Sequence, residues 1–218
     1  MYDKKKPAYF SNARKDVFRF LPEKVERVLE IGCGTGETLS FVKSKYKNSI
    51  AVGIELTESA ALLAAPKVDL IKNIDIENCN CTTELGQFDL ILLLDVLEHL
   101  KDPWKVLKTL VQNNLFPGGT VITSIPNARN HALIFQLLLG NFEYIESGVR
   151  DKTHLRFFTK RSMCRMVKEA GLDIINCEPT NLEGPSRSSM FNKFTLGVFK
   201  DFLAVQYIIK SKKLSTKK

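Results

Sequence analysis

The sequence predicts an α/β fold, a doubly wound parallel sheet with helices on both faces. Three observations point there. Apolar β-rich runs alternate with helix-type segments from residue 27 to residue 126, the rhythm of successive crossover units. The run Phe88–Asp95 is nearly all Leu and Ile, as a strand buried on both faces requires. The first run, Arg27–Ile31, climbs into Gly32, Gly34 and Gly36 and then breaks into a helix-forming segment, the way a parallel strand receives a nucleotide-like ligand at its carboxyl end.

Each element has its own local reason. Residues 1–24 read as a basic leader and a helix that covers part of the ligand site, with Phe10, Val17, Phe18 and Leu21 on its apolar side and Pro22 stopping it. After the first strand, Glu37–Tyr46 turns Leu39, Phe41 and Val42 inward as a helix. Ser49–Leu56 is a second strand ending in the acid Glu55, and an Ala-rich helix near Thr57–Ala65 runs to Pro66. Val68–Ile74 and Phe88–Asp95 are the third and fourth strands. Trp104–Leu115 follows Pro103 as an amphipathic helix. Pro117-Gly118-Gly119 reads as a turn before a fifth strand, Thr120–Ile125. Residues 127–160 depart from the rhythm and read as an acceptor-side insertion or lid. Arg161–Ala170 is a helix closed by Gly171, Leu172–Cys177 a strand, 180–189 a loop, Phe191–Phe202 helix-like and Leu203–Ile209 a last strand.

A chain of 218 residues, 44% hydrophobic, accommodates one α/β domain over residues 1–218 with a sizeable core. Five cysteines, an odd number scattered through strand and loop, do not make a disulfide framework; reduced thiols in a cytoplasmic protein are expected. Cys79 and Cys81 have no second pair at metal-binding spacing. No signal-peptide pattern opens the chain, and the apolar runs at 91–96 and 132–139 are too short to span a bilayer. The formal charge of +8 invites a nucleic-acid reading. Much of the excess sits at Lys4–Lys6 and at Lys210, Lys212, Lys213, Lys217 and Lys218, which read as solvated tails.

Spacing separates the ligands that use a glycine turn. A phosphate-binding loop requires a Lys-Ser/Thr pair where this chain has Glu37-Thr38. The dinucleotide fingerprint sets its third glycine three residues after the second, whereas Gly32, Gly34 and Gly36 are every second residue. Glu55 still stands where an acid accepts hydrogen bonds from ribose hydroxyls. A nucleoside ligand follows, without a clear pyrophosphate site.

Here VLEIGCGTG at Val28–Gly36, VGIEL at Val52–Leu56, FDLILLLDVLEHL at Phe88–Leu100 and PGGT at Pro117–Thr120 together resemble the class I S-adenosylmethionine-dependent methyltransferases. SIPNARN at Ser124–Asn130 and DKTHLRFFTKRS at Asp151–Ser162 are similar to bacterial surface-polysaccharide and sugar-modifying methyltransferases, with kinship to the ubiquinone O-methyltransferases. The resemblance implies a Rossmann-like sheet of seven strands, mostly parallel with an antiparallel last strand. It implies S-adenosylmethionine as methyl donor, received by the Gly32-Cys33-Gly34 and Gly36 turn. Glu30 would help hold the ammonium, Glu55 would take the ribose hydroxyls and Leu56 would lie against the adenine. Asp75 and Ile76 would frame the adenine, and Asp95 would stand beside the sulfonium. Tyr9 and Arg14 would close over the cofactor.

Methyl transfer from a sulfonium requires in-line alignment and, for a hydroxyl acceptor, removal of a proton. Candidate bases are few, because the chain has three histidines. In Asp95-Val96-Leu97-Glu98-His99 a helical turn sets Glu98 and His99 on the face of Asp95, and His154 arrives from the insertion. Asp95, Glu98, His99 and His154 converging would suit a divalent metal. The same pattern resembles the metal site of small-RNA 2′-O-methyltransferases, except that the first acid is Asp where that family has Glu. A metal-free general base at His99, with His154 on the acceptor side, and a structural role for Glu98 and His99 are the other readings. Arg156 offers a binding group for an anionic acceptor. The function expected is methyl transfer to oxygen on a small or sugar-linked acceptor of polysaccharide biosynthesis. An RNA ribose 2′-O-methyltransferase is the first alternative, disfavoured because no appended RNA-binding module or aromatic-basic stretch is visible. A cofactor-binding protein without turnover is the second. Oligomeric state is left open.

Overall fold

The computed structural model describes residues 13–78, 84–180, 190 and 193–214. A seven-stranded sheet comprises β1 (Arg27–Ile31), β2 (Ile50–Glu55), β3 (Leu70–Asn73), β4 (Phe88–Leu94), β5 (Leu115–Pro126), β6 (Leu172–Pro179) and β7 (Gln206–Lys213). Their order is β3-β2-β1-β4-β5-β7-β6. β3, β2, β1, β4 and β5 are parallel, while β7 runs antiparallel between β5 and β6. The helices are α1 (Glu37–Lys45), α2 (Glu58–Ala64), α3 (Pro103–Asn113), α4 (His131–Leu138), α5 (Lys160–Glu169) and α6 (Lys200–Leu203), with a 3₁₀ turn at Lys15–Phe20.

Two cores follow from strand alternation. Val28, Leu90, Leu92, Ile122 and Ile208 pack on one face with Leu39 and Val42 of α1 and Val17 and Phe20 of the 3₁₀ turn. Leu29, Ile54, Ile91, Leu93 and Val121 pack on the other with Leu107 and Leu110 of α3 and Met163 and Val167 of α5. Helix starts are fixed locally: the Asp102 carboxylate accepts from the Lys105 amide at 3.0 Å, and Thr159 and Ser162 form a capping box on α5.

The structure departs from the sequence reading in four places. The Pro117–Gly119 turn lies inside β5, as a register shift after which Thr120 meets Leu90; Gly118 there has φ of 80°, a conformation that suits glycine. The insertion contains a helix, α4, capped by Asn130. The helix-like run at 191–202 is broken by Leu196 and Gly197, both at positive φ, with Lys193 and Phe194 helical before the break and the helix Lys200–Leu203 after it. Lys210, Lys212 and Lys213 are strand residues of β7 and not tail; the Lys213 ammonium donates to the carbonyls of Val111 and Leu115, closing the end of α3. Tyr9, Phe10, Cys79, Cys81 and the 181–189 loop lie outside the described residues. Among the described cysteines Cys33, Cys164 and Cys177 are all free thiols.

Candidate active site

Strand order reverses direction between β1 and β4, and a cleft opens at such a switch point because the crossovers leave to opposite sides. A cavity of about 590 Å³ lies there, lined by Glu30, Gly32, Cys33, Gly34, Glu55, Leu56, Asp75, Ile76, Asp95 and His99 among others. That volume is in the range of a cofactor-sized ligand. Gly36 does not line it.

The glycine turn is held from within. Gly32, Gly34 and Gly36 have φ of 68°, 55° and 80°, values that a side chain rarely tolerates. A Cβ at Gly32 would stand 2.6 Å from Val96, and one at Gly36 would stand 3.2 Å from Ala64 of α2. These two glycines therefore admit neighbouring protein as well as positive φ. The Glu55 carboxylate accepts from the Gly34 amide at 2.9 Å and the Thr57 amide at 2.8 Å; one oxygen to each leaves further lone pairs facing the cavity. Asp75 accepts from the Glu77 amide and the Asn78 side chain.

Glu30 is the informative residue. It is 3% exposed, yet its Oε2 has no hydrogen-bond partner. Burial pushes its carboxyl up to about 8, against the opposing pull of Arg14, while Glu55 pushes it further up and a Thr38 hydrogen bond pulls it down. A buried orphan carboxylate oxygen is costly, and a cationic ligand group in the cavity would satisfy it. The site thus fits an amino-acid-bearing nucleoside: an ammonium at Glu30, backbone at the glycine turn and an acid at Glu55 for ribose hydroxyls.

Asp95 ends β4 at φ of 58°. Its carboxylate is bridged by the Arg14 guanidinium, the Gln206 amide and the Ser124 hydroxyl. Arg14 also reaches Ser124 at 2.9 Å, and its own amide donates to Thr38 at 3.3 Å. Sequence reasoning placed Arg14 near the cofactor through the resemblance but missed Ser124 and Gln206, which stand 29 and 111 positions from Asp95. No local pattern joins such distant residues; the β5–β7 pairing does.

A second cavity of about 250 Å³ shares Asp95 and His99 with the first, and adds Glu98, Ser147, Asp151, His154 and Gln206. His99 therefore stands where the two meet. The 3₁₀ turn Leu97–His99 is stitched to the insertion, since the Glu98 carbonyl accepts from the Leu155 and Arg156 amides at 2.8 and 2.9 Å. The His99 Nδ1 lies 3.1 Å from the Thr153 carbonyl and the His154 Nδ1 lies 3.1 Å from the Val149 carbonyl. Carbonyls only accept, so each Nδ1 carries a proton, and in the neutral form of each ring Nε2 is the basic nitrogen. The two rings meet edge to face at 4.7 Å. Glu98 is 1% exposed with neither carboxylate oxygen hydrogen-bonded; burial first, then Asp95, holds its carboxyl well above the usual range.

Glu98, His99 and His154 offer ligand atoms within 4.8 Å of one another. Asp95 does not join them, being engaged by Arg14 and Gln206. Arg156 faces neither cavity: its guanidinium donates to the Lys101 carbonyl and lies over Trp104.

Fold and site together define a class: a switch-point α/β protein with a nucleoside cavity opening onto a smaller one through a histidine. A family profile described as Methyltransferase domain matches residues 4–176, and the chain belongs to that family, the class I S-adenosylmethionine-dependent methyltransferases. It is 30% identical over 186 residues to the ubiquinone biosynthesis O-methyltransferase of Aeromonas salmonicida, covering 79% of this chain and 71% of the relative. Over 128 residues, 56% of this chain and 48% of the relative, it is 30% identical to trans-aconitate 2-methyltransferase of Deinococcus radiodurans. A methyltransferase structure from Archaeoglobus fulgidus superposes with a TM-score of 0.62 at 18% identity, covering 90% of this chain and 91% of that one. The protein is an S-adenosylmethionine-dependent methyltransferase. Among the described residues no helix is long and apolar enough to cross a membrane.

Proposed function

We propose that this methyltransferase acts on a hydroxyl of a small, ring-sized acceptor, a sugar-linked or phenolic alcohol, held in the 250 Å³ cavity with His99 as general base. The observation that carries the reading is the position of His99 on both cavities, with Nδ1 committed to the Thr153 carbonyl. That bond fixes the tautomer, so in the neutral ring Nε2 is the basic nitrogen, the atom that would take the acceptor proton. The cofactor supplies an electrophilic methyl group when bound. Glu30, the glycine turn and Glu55 hold it, and Arg14 holds Asp95 where the two cavities meet. The curated relative's O-methylation supports oxygen as the acceptor atom.

The test is transfer of a radiolabelled methyl group to a panel of catechols, nucleotide sugars and short RNAs by wild type and His99→Asn. A kcat drop of about 10²–10⁴-fold with cofactor affinity nearly unchanged is expected. Equal loss in both sinks the base, and labelling of RNA alone sinks the small acceptor.

A second reading has its own observation. Glu98, fully buried with two unpartnered oxygens, and one ring nitrogen each of His99 and His154 form a three-donor set whose rings are oriented by backbone carbonyls as metal-binding histidines commonly are. A divalent cation there would orient acceptor oxygens and acidify a hydroxyl. Calorimetric titration with Mg²⁺ or Mn²⁺ reads it directly: binding by wild type and none by Glu98→Gln supports the site. Unchanged turnover after exhaustive chelation excludes a catalytic metal.

A further inference from the structure

We infer that the face made by α4 and the segment at 193–205 docks on an anionic lipid bilayer. On α4 and the Leu139 that follows it, Phe135, Leu138 and Leu139 are exposed by 55%, 75% and 84%; on the segment, Phe194, Leu196 and Val198 are exposed by 87%, 92% and 79%. The two stretches are neighbours, because Phe202 packs its ring against both His131 and Phe135. Asn127 and Asn130 tie them further through bonds to the carbonyls of Asp201 and Ala204. Six large apolar side chains gathered on one face mark an interaction site. The backbone contributes too: Leu196 sits at φ of 51°, a conformation costly for leucine, and it holds an almost fully exposed side chain outward.

Charge chooses the occupant. From residue 127 to 141 the chain carries Arg129 and no carboxylate, and from 193 to 200 it carries Lys193 and Lys200 and no carboxylate. The one acid of the segment, Asp201, is paired with Lys160 and accepts from Tyr207, so the cations prevail at this apolar face, which suits the headgroup boundary of an anionic membrane. A second copy of the same face would bring like charges together. The segment runs directly into Val205 and Gln206, which line the smaller cavity. Docking would therefore hold the acceptor cavity at the lipid surface, where an acceptor carried on a lipid anchor is met. That consequence rests on the acceptor reading above; the docking itself does not.

Co-sedimentation with vesicles reads docking without methyl transfer. Wild type is expected to bind vesicles of phosphatidylcholine with about one third phosphatidylglycerol, to bind pure phosphatidylcholine at least tenfold more weakly, and to be released by salt. Leu138→Glu combined with Leu139→Glu, both at exposed positions, should lower binding tenfold or more while the circular dichroism and thermal unfolding stay those of wild type. Lys193→Glu should weaken binding to anionic vesicles alone. No binding to either vesicle, or equal binding by wild type and the Leu138/Leu139 variant, overturns the inference. A wild-type dimer by analytical ultracentrifugation that the same variant makes monomeric, without vesicle binding, overturns it in favour of a second copy.

Discussion

Glu30 makes the affinity for the methyl donor depend on pH in a way that can be calculated. In the free protein its carboxyl holds a proton up to about pH 8. In S-adenosylhomocysteine the ammonium stands beside its own carboxylate, which keeps it protonated above the range of a peptide N-terminus, so Glu30 governs the limb below pH 8. When ligand binds there, the Glu30–ammonium pair holds one proton where the separated groups hold two, so binding releases a proton and tightens as pH rises. With a midpoint of about 8 for Glu30, affinity should level off above pH 8 and be roughly 100-fold weaker at pH 6 than on that plateau. Arg14 opposes the shift and Glu55 adds to it, so both belong to the measured midpoint. Calorimetry with S-adenosylhomocysteine, whose amino-acid end is the same, in two buffers of different ionisation enthalpy reads the proton count. About one proton should leave per ligand at pH 6.5 for wild type and almost none for Glu30→Gln, which should bind about tenfold more weakly near pH 8 through loss of a charged hydrogen bond. Affinity that is flat from pH 6 to 8, or a Glu30→Gln variant that keeps the full slope, refutes the assignment.

Two other perturbations test the frame of the site. Gly53→Ala adds a Cβ 2.6 Å from the Cys33 sulfur and 2.9 Å from Ile71, so thermal unfolding should report a loss of about 1–3 kcal/mol; combining it with Cys33→Ala should recover part, and no recovery means that Cys33 is not the obstacle. Arg14→Ala removes the cation that bridges Asp95 and holds Glu30 down; the low-pH limb of ligand binding should move to higher pH, and an unmoved limb would separate Arg14 from Glu30.

The sheet was legible in the sequence because its causes are local. Every strand interior came from runs such as Phe88–Leu94, whose two faces both meet helices, and β1 was readable to its end residues because Gly32 stops it. Boundaries blurred where a neighbour decides: β5 continues back through Pro117–Gly119 because Leu115 still finds Phe88 to pair with. β7 extends through three lysines because β5 and β6 flank it on both edges, so its backbone is satisfied while the lysine heads find carbonyls or water. α4 escaped notice because its apolar residues point outward as well as inward and give no one-sided period. Glu30, Glu55 and His99 were readable as acids and a base near strand ends, and His154 as a base of the insertion; that Arg156 turns away to Lys101 was not, since a side chain's direction depends on partners 55 positions distant.

By itself the sequence determined the doubly wound sheet and a nucleoside site, because hydrophobic alternation, the glycine spacing and the acids at strand ends all act within a few residues of one another; the methyl donor came from the resemblance of those motifs to the class I methyltransferases. Only the tertiary structure decided what those groups are worth: that Glu30 is buried with an orphan oxygen, that Asp95 is engaged by Arg14, Ser124 and Gln206, and that His99 stands between two cavities. Such properties belong to desolvation and to contacts between distant segments, which exist only after the chain has closed on itself.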